Sequence, residues 1–181
     1  GINPSKDIEQ SDVCINGMFL NYGCYFGTDE EKLRSVVDFI GSQQLADGGF
    51  NCRLNPSGAR HSSMHSTISV LEGIREYIAA GYAFRAEELK RIEGEAQEFL
   101  LRHRLFKSDH TGAVIHPIFL KLVYPPRWRY DILRALDYFQ SVGYPYDERL
   151  QDALDILKEK RLSDGRWKTQ AHHPGGVHFQ M

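Results

Sequence analysis

One helix-ending turn constrains this chain more than any other stretch: Gln43-Gln44-Leu45-Ala46-Asp47-Gly48-Gly49-Phe50-Asn51-Cys52. It closes an amphipathic run with a polar, glycine-paired reversal and sets an aromatic on the far side. A weaker copy returns at Leu162-Ser163-Asp164-Gly165-Arg166-Trp167. Between them stands Lys107-Ser108-Asp109-His110-Thr111-Gly112, which lacks the second glycine and the aromatic. Asp47, Asp109 and Asp164 set a period of roughly 55–60 residues, longer than most solenoid repeats. The chain is therefore read as built from repeats.

Residues 1–11 are polar, contain Pro4, and read as a leader to a single domain over 12–181. Asp12 to Phe26 is apolar on nearly every side and predicts an enclosed helix. Gly17 and Gly23 weaken that helix by roughly 1 kcal/mol each relative to Ala but permit close packing. Thr28 before Asp29, Glu30 and Glu31 reads as an N-cap with acids in the first turn. Leu33, Val36, Val37, Phe39 and Ile40 then follow at helical spacing.

The pattern repeats over 61–126, where Ser62 or Ser63 starts a helix to about Ala80 and Gly81 stops it. A second amphipathic helix spans about 86–104. Prolines break the connection to Pro126, with a short helical insert at 118–123. The third unit, 127–181, opens on Trp128-Arg129-Tyr130-Asp131 and a helix to about Val142. Asp147 caps a last amphipathic helix. No strand pattern competes. Three hairpins over 12–60, 61–126 and 127–181, each an enclosed helix followed by an amphipathic one, predict an all-α fold. Two concentric layers, a ring or an arc of helices, satisfy that alternation.

Composition narrows function by exclusion. The 181 residues carry a formal net charge of -2 without long single-sign blocks, which disfavours a phosphate-tracking nucleic-acid surface. No apolar run reaches membrane-spanning length and no signal-peptide pattern opens the chain. Three cysteines, Cys14, Cys24 and Cys52, argue against a disulfide framework and for a reduced, cytoplasmic setting. The chain opens on Gly1 and is expected to be a piece of a longer protein.

A glutamine followed by Asp-Gly-Gly-aromatic after a helix resembles the QW-type repeat of the terpenoid cyclase and protein prenyltransferase superfamily. The first unit is similar to prenyltransferase β subunits in its order of parts: Ser11-Asp12-Val13-Cys14, Asp29 to Ser35, Gln44 with Gly48-Gly49-Phe50, then His65-Ser66-Thr67. Tyr124-Pro125-Pro126-Arg127-Trp128-Arg129-Tyr130-Asp131 and Pro174-Gly175-Gly176-Val177-His178-Phe179 look like bacterial squalene-cyclase-like proteins. The resemblance covers most of 11–181. It implies an α/α toroid-like arc whose inner helices line an apolar cavity for an isoprenoid or lipid-like molecule. Three hairpins make at most half a ring, which implies self-association or a missing C-terminal half. The sequence departs from the pattern in three ways. Arg161 stands where the first turn has Gln44, the middle turn is incomplete, and no Asp-x-Asp-Asp acid motif is present.

If the enclosed helices run parallel, their N-termini gather Asp12, Cys14, His65, Asp131, Trp128 and Tyr130 at one end of the arc, where free amides favour an anion such as a diphosphate. The resemblance implies that Asp12, Cys14 and His65 bind a catalytic zinc with one position open for a thiolate. Measured back from Gly73, however, the family's histidine falls on Ser66, and His65 is one residue early. The same residues also read as a helix cap at Asp12, a small core residue at Cys14 and a hydrogen-bonded helix-start histidine at His65. Asp131 joins Asp12, Cys14 and His65 as a catalytic candidate. A Cys14–His65 thiol–imidazole pair, a His61–His65 pair four apart and the tail histidines His172, His173 and His178 are further possibilities. Tyr22, Tyr25, Trp128, Tyr130, Phe50 and Trp167 would line an aromatic cavity or pack between hairpins, and Arg127 and Arg129 would hold a diphosphate or stand in solvent. Three functions stay open: an isoprenoid-handling enzyme, a non-catalytic toroid-type binding module, and a structural half-ring that pairs with another half.

Overall fold

The fold was taken from a computed structural model, which describes residues 11–52 and 59–170. Six α-helices carry it: α1 (Val13–Tyr25), α2 (Glu30–Gln43), α3 (Met64–Ala79), α4 (Ala86–Arg102), α5 (Ile132–Ser141) and α6 (Gln151–Glu159). Short 3-10 turns occupy Pro117–Leu120 and Glu148–Leu150. The described residues contain no strand, and the fold is all-α. The expected leader over 1–11 falls outside the described residues except at Ser11, as do most of the 53–60 loop and the tail with His172, His173 and His178.

Each helix pairs with the next: α1 with α2, α3 with α4, α5 with α6. Across the hairpins α1 packs on α3 and α3 on α5, while α2 meets α4, and α4 meets the 3-10 turn that leads into α6. The result is two layers with α3 central in one of them. The α1–α3 contact is the most extensive because glycine sits on both sides of it. A Cβ on Gly17 would lie 2.6 Å from the Ser69 carbonyl oxygen, and one on Gly73 would run into the Gly17 carbonyl. Neither helix could approach so closely with side chains there.

Only α3 is enclosed as the sequence predicts, with ten of its sixteen residues buried. On α1 the expectation needs correction. Val13, Leu20 and Cys24 are buried, but Phe19, Tyr22 and Tyr25 form an open face, with Tyr25 72% exposed. The helix is apolar on most sides yet covered on one, because among the described residues α3 and α2 are its helical neighbours of substance.

Helix starts differ from expectation in detail. Asp29, not Thr28, holds the N-cap position of α2 and makes no side-chain capping bond. Glu30 turns away instead and accepts from the backbone N–H of Phe84 at 2.7 Å, from that of Ala83 at 2.5 Å and from the Tyr77 hydroxyl at 2.9 Å. Those bonds hold its carboxyl below the usual range, led by the Phe84 amide, and tie α2 to the α3–α4 turn. Trp128 to Tyr130 precede α5 rather than forming its first turn, and Asp131 caps it through Arg134 N–H at 2.9 Å.

The glycine turn works as a fastener. Gln44 Nε2 donates to the Gly48 carbonyl at 2.9 Å, and Leu45 bonds with Gly48 and Gly49. Asp47 accepts from Ser62 N–H at 2.8 Å and from the Ser62 hydroxyl, which brings the approach to α3 onto the turn. Burial pushes the Asp47 carboxyl up, but these bonds outweigh it and hold it low. Arg102 of α4 reaches the Asp47 carbonyl, and Phe50 is fully buried. The last turn repeats the pattern: Arg161 Nε donates to the Gly165 carbonyl at 3.1 Å, and Leu162 bonds with Gly165 and Arg166.

Candidate functional site

The N-terminal ends of α3 and α5 border a half-open cavity of about 350 Å³. Ile115, Ile118, Phe119, Val123, Trp128 and Tyr130 supply apolar and aromatic walls, and His65, His116, Arg129 and Asp131 supply polar groups. The walls come from the proline-broken connection, which folds back across the helix starts. Tyr130 is anchored by its hydroxyl on the Leu105 carbonyl at 2.6 Å and is 1% exposed. Phe119 stands edge-on to Tyr130 with ring centres 5.0 Å apart.

His65 lies against three of these rings, with centroid distances of 5.5 Å to Phe119, 5.6 Å to Trp128 and 6.4 Å to Tyr130. Its Nδ1 accepts the backbone N–H of Tyr130 at 2.7 Å. Burial, then the charges of Arg134 and Arg129, lower its pKa from 6.5 to about 4. The imidazole is therefore neutral near pH 7. With Nδ1 engaged as an acceptor, Nε2 carries the hydrogen and can only donate.

Arg129 stacks over Trp128, its guanidinium carbon 5.0 Å from the ring centre. Asp131 is 3% exposed, and burial raises its carboxyl pKa against the pull of its backbone bonds. Its hydrogen bond to Arg134 N–H makes it first a cap of α5. Glu72 grips Arg134 from α3 with bonds of 2.8 and 2.6 Å, just behind this wall.

The proposed ligand set Asp12, Cys14 and His65 does not come together. One residue along a helix is a rotation of roughly 100°. That rotation takes His65 to the α5 side of α3 and leaves Ser66 on the side facing α1. There the Cys52 sulfur lies 3.4 Å from Ser66 Oγ and 3.0 Å from the Cys14 sulfur. Asp12 Oδ1 is buried with no hydrogen-bond partner among the described residues, so Asp12 is not a side-chain cap either. No group of three His, Cys, Asp or Glu side chains among the described residues is placed to hold a metal ion. With His65 engaged by Tyr130, the zinc set implied by the resemblance does not fit, and the Cys14–His65 pair does not form.

The aromatic candidates divide. Trp128, Arg129 and Tyr130 line the cavity. Tyr22 borders a separate, charge-lined groove with Glu72, Arg75, Arg127 and Arg134, and Tyr25 stands in solvent. Phe50 packs between hairpins, whereas Trp167 is 46% exposed with its Nε1 on the Leu157 carbonyl. The sequence reading missed His116, Ile118, Phe119 and Cys52. Cys52 was signalled: in an extended segment positions 50 and 52 share a face, and Phe50 faces the core.

No family model, curated protein or solved structure matches this chain. No helix among the described residues is long and apolar enough to cross a membrane.

Proposed function

We propose that this protein is a non-catalytic binding module of the terpenoid-cyclase and prenyltransferase type, and that the His65 cavity takes an isoprenoid or similar lipid-like molecule. One observation carries the reading: an aromatic-walled cavity of about 350 Å³ with a guanidinium at its edge. That volume lies within the range of small-molecule pockets. Apolar walls suit a prenyl chain, Arg129 suits an anionic end, and neutral His65 can donate one hydrogen bond to an oxygen. Turnover is disfavoured because His65 has no free basic nitrogen and Asp131 is committed to capping α5. The hairpin order and the repeated turn support the toroid-type assignment.

Trp128 reports on the cavity, and the only other tryptophan is Trp167. In a Trp167→Phe background, farnesol and farnesyl diphosphate should both quench or shift the Trp128 emission. Arg129→Ala should remove the preference for the diphosphate and spare the alcohol. If neither ligand changes the emission up to its solubility limit, the reading fails.

A second reading, self-association, is favoured by the open aromatic face of α1 and the residue that ends it, where Phe19, Tyr22, Tyr25 and Phe26 are all exposed. Exposed apolar patches of this kind mark interfaces. Light scattering across a wide concentration range tests it, and a constant monomer mass would discard it.

A further inference from the structure

Two thiols lie outside the His65 cavity and play no part in it. Cys14 is the second residue of α1, and Cys52 stands two residues past the buried Phe50. Their sulfurs are 3.0 Å apart, and both residues are partly exposed, unlike Cys24. The approach is held by rigid elements. Phe50 N–H bonds Thr67 Oγ1 at 3.0 Å, and Ser63 N–H bonds the Phe50 carbonyl at 2.8 Å. Asn51 donates to the His61 carbonyl and accepts from Cys52 N–H, both at 2.8 Å. On the other side, the Gly17–Gly73 contact locks α1 on α3. Closing a disulfide from this geometry needs an approach of only about 1 Å.

We propose that Cys14 and Cys52 are a reversible dithiol–disulfide couple that exchanges with low-molecular-weight disulfides of the glutathione type. Cys52 is the nucleophile. The Cys14 thiol beside it pulls its pKa down to about 7, with help from Ser66 and against burial. Its thiolate attacks one sulfur of the small disulfide, forming a mixed disulfide and expelling one thiolate, which takes a proton from solvent. The main suppressor of Cys14 ionisation is the Cys52 sulfur itself, through its hydrogen bond and charge. Capping Cys52 lifts both. Cys14 then loses its proton to solvent and attacks the Cys52 sulfur, and the second small thiol leaves. One small disulfide is reduced to two thiols, and the protein dithiol is oxidised by two electrons. Cys24 is a bystander: it is buried, and burial pushes its thiol up to about 12.

The test treats the whole chain with oxidised glutathione at pH 7 and reads thiol count, intact mass and cross-linked peptides. The wild type should lose two thiols, gain no glutathione mass, and yield a Cys14–Cys52 peptide that dithiothreitol reverses. Cys24→Ser should behave alike. Cys14→Ser should stop at one glutathione on Cys52, and Cys52→Ser should react at least about tenfold more slowly. The oxidised wild type should melt about 5 °C or more higher, since the bond closes a long loop. Three free thiols after treatment, glutathione retained on the wild type, or a bond between two chains would each overturn the proposal. The wild-type readout needs no variant to fold.

Discussion

His65 Nδ1 accepts the backbone N–H of Tyr130 at 2.7 Å, and this single bond decides what the histidine can do. It joins α3 to the segment entering α5, fixes the tautomer, and holds the ring against Phe119 and Trp128. A protonated His65 would have to give up that acceptor role beside Arg129 and His116 in the cavity wall and the charge of Arg134 behind it.

The first prediction concerns pH. The folded-state pKa of His65, about 4, lies below its ordinary 6.5. Between those values the unfolded chain binds more protons, so stability rises with pH. The contribution is complete above about pH 7 and is lost as pH falls from 6.5 toward 4. Urea midpoints measured from pH 7.5 to 5 should show this slope, and His65→Gln should flatten it. Equal slopes in the two proteins would remove His65 as the source.

Glycine substitutions should have opposite signs at two kinds of site. Gly17→Ala and Gly73→Ala force a methyl into backbone across the α1–α3 contact, and each should cost about 2–3 kcal/mol. Gly94 lies within α4 with open space around its α-carbon. Gly94→Ala should therefore gain up to about 1 kcal/mol through helix propensity. Chemical denaturation of the three variants measures all of this, and a stabilised Gly73→Ala would refute the close approach.

Much of this architecture is legible in the sequence because its signals are local. Gly81 ends α3 with a φ of +77°, Asp131 and Asp147 cap the elements that follow them, and the glycine turn sits where its residues demand. The site is less legible because it depends on rotation and on distant pairing. His65 and Ser66 are neighbours in sequence but face different sides of α3, so a shift of one residue decides whether a side chain meets Tyr130 or Cys52. The connection containing Ile118 and Phe119 shows no periodicity that would bring it over the α3 start. Arg134 looks like a solvent-facing helix residue until Glu72, far away on α3, is seen to claim it.

That pair supports a third prediction. Arg134 is 6% exposed and also bonds the Arg129 carbonyl at 2.9 Å. Arg134→Met leaves the Glu72 carboxylate without its partner and should cost about 3–5 kcal/mol. Arg134→Lys should recover only part of the loss, because an ammonium cannot form the fork. The double variant Glu72→Leu/Arg134→Met should be far less damaged than the single one. If the losses simply add, the pair is not coupled.

The two glycine turns offer the last prediction. Gln44 in the first and Arg161 in the last reach the carbonyl four residues on, at Gly48 and Gly165. The hydrogen bond is the same, and its surroundings differ. Phe50 is fully buried behind the first turn, whereas Trp167 beside the last is 46% exposed. Gln44→Ala should cost about 1 kcal/mol, and Phe50→Ala about 3–5 kcal/mol as a core cavity. Arg161→Gln should keep the turn bond, which an amide serves in the first turn, and lose about 0.5–1 kcal/mol with the guanidinium that stacks over Trp167. Trp167→Ala should cost about 2 kcal/mol, less than Phe50→Ala, because nearly half of the side chain already stands in water. Denaturation midpoints of the four variants rank the turns. A Trp167→Ala loss as large as that of Phe50→Ala would mean that the last turn is also packed between layers.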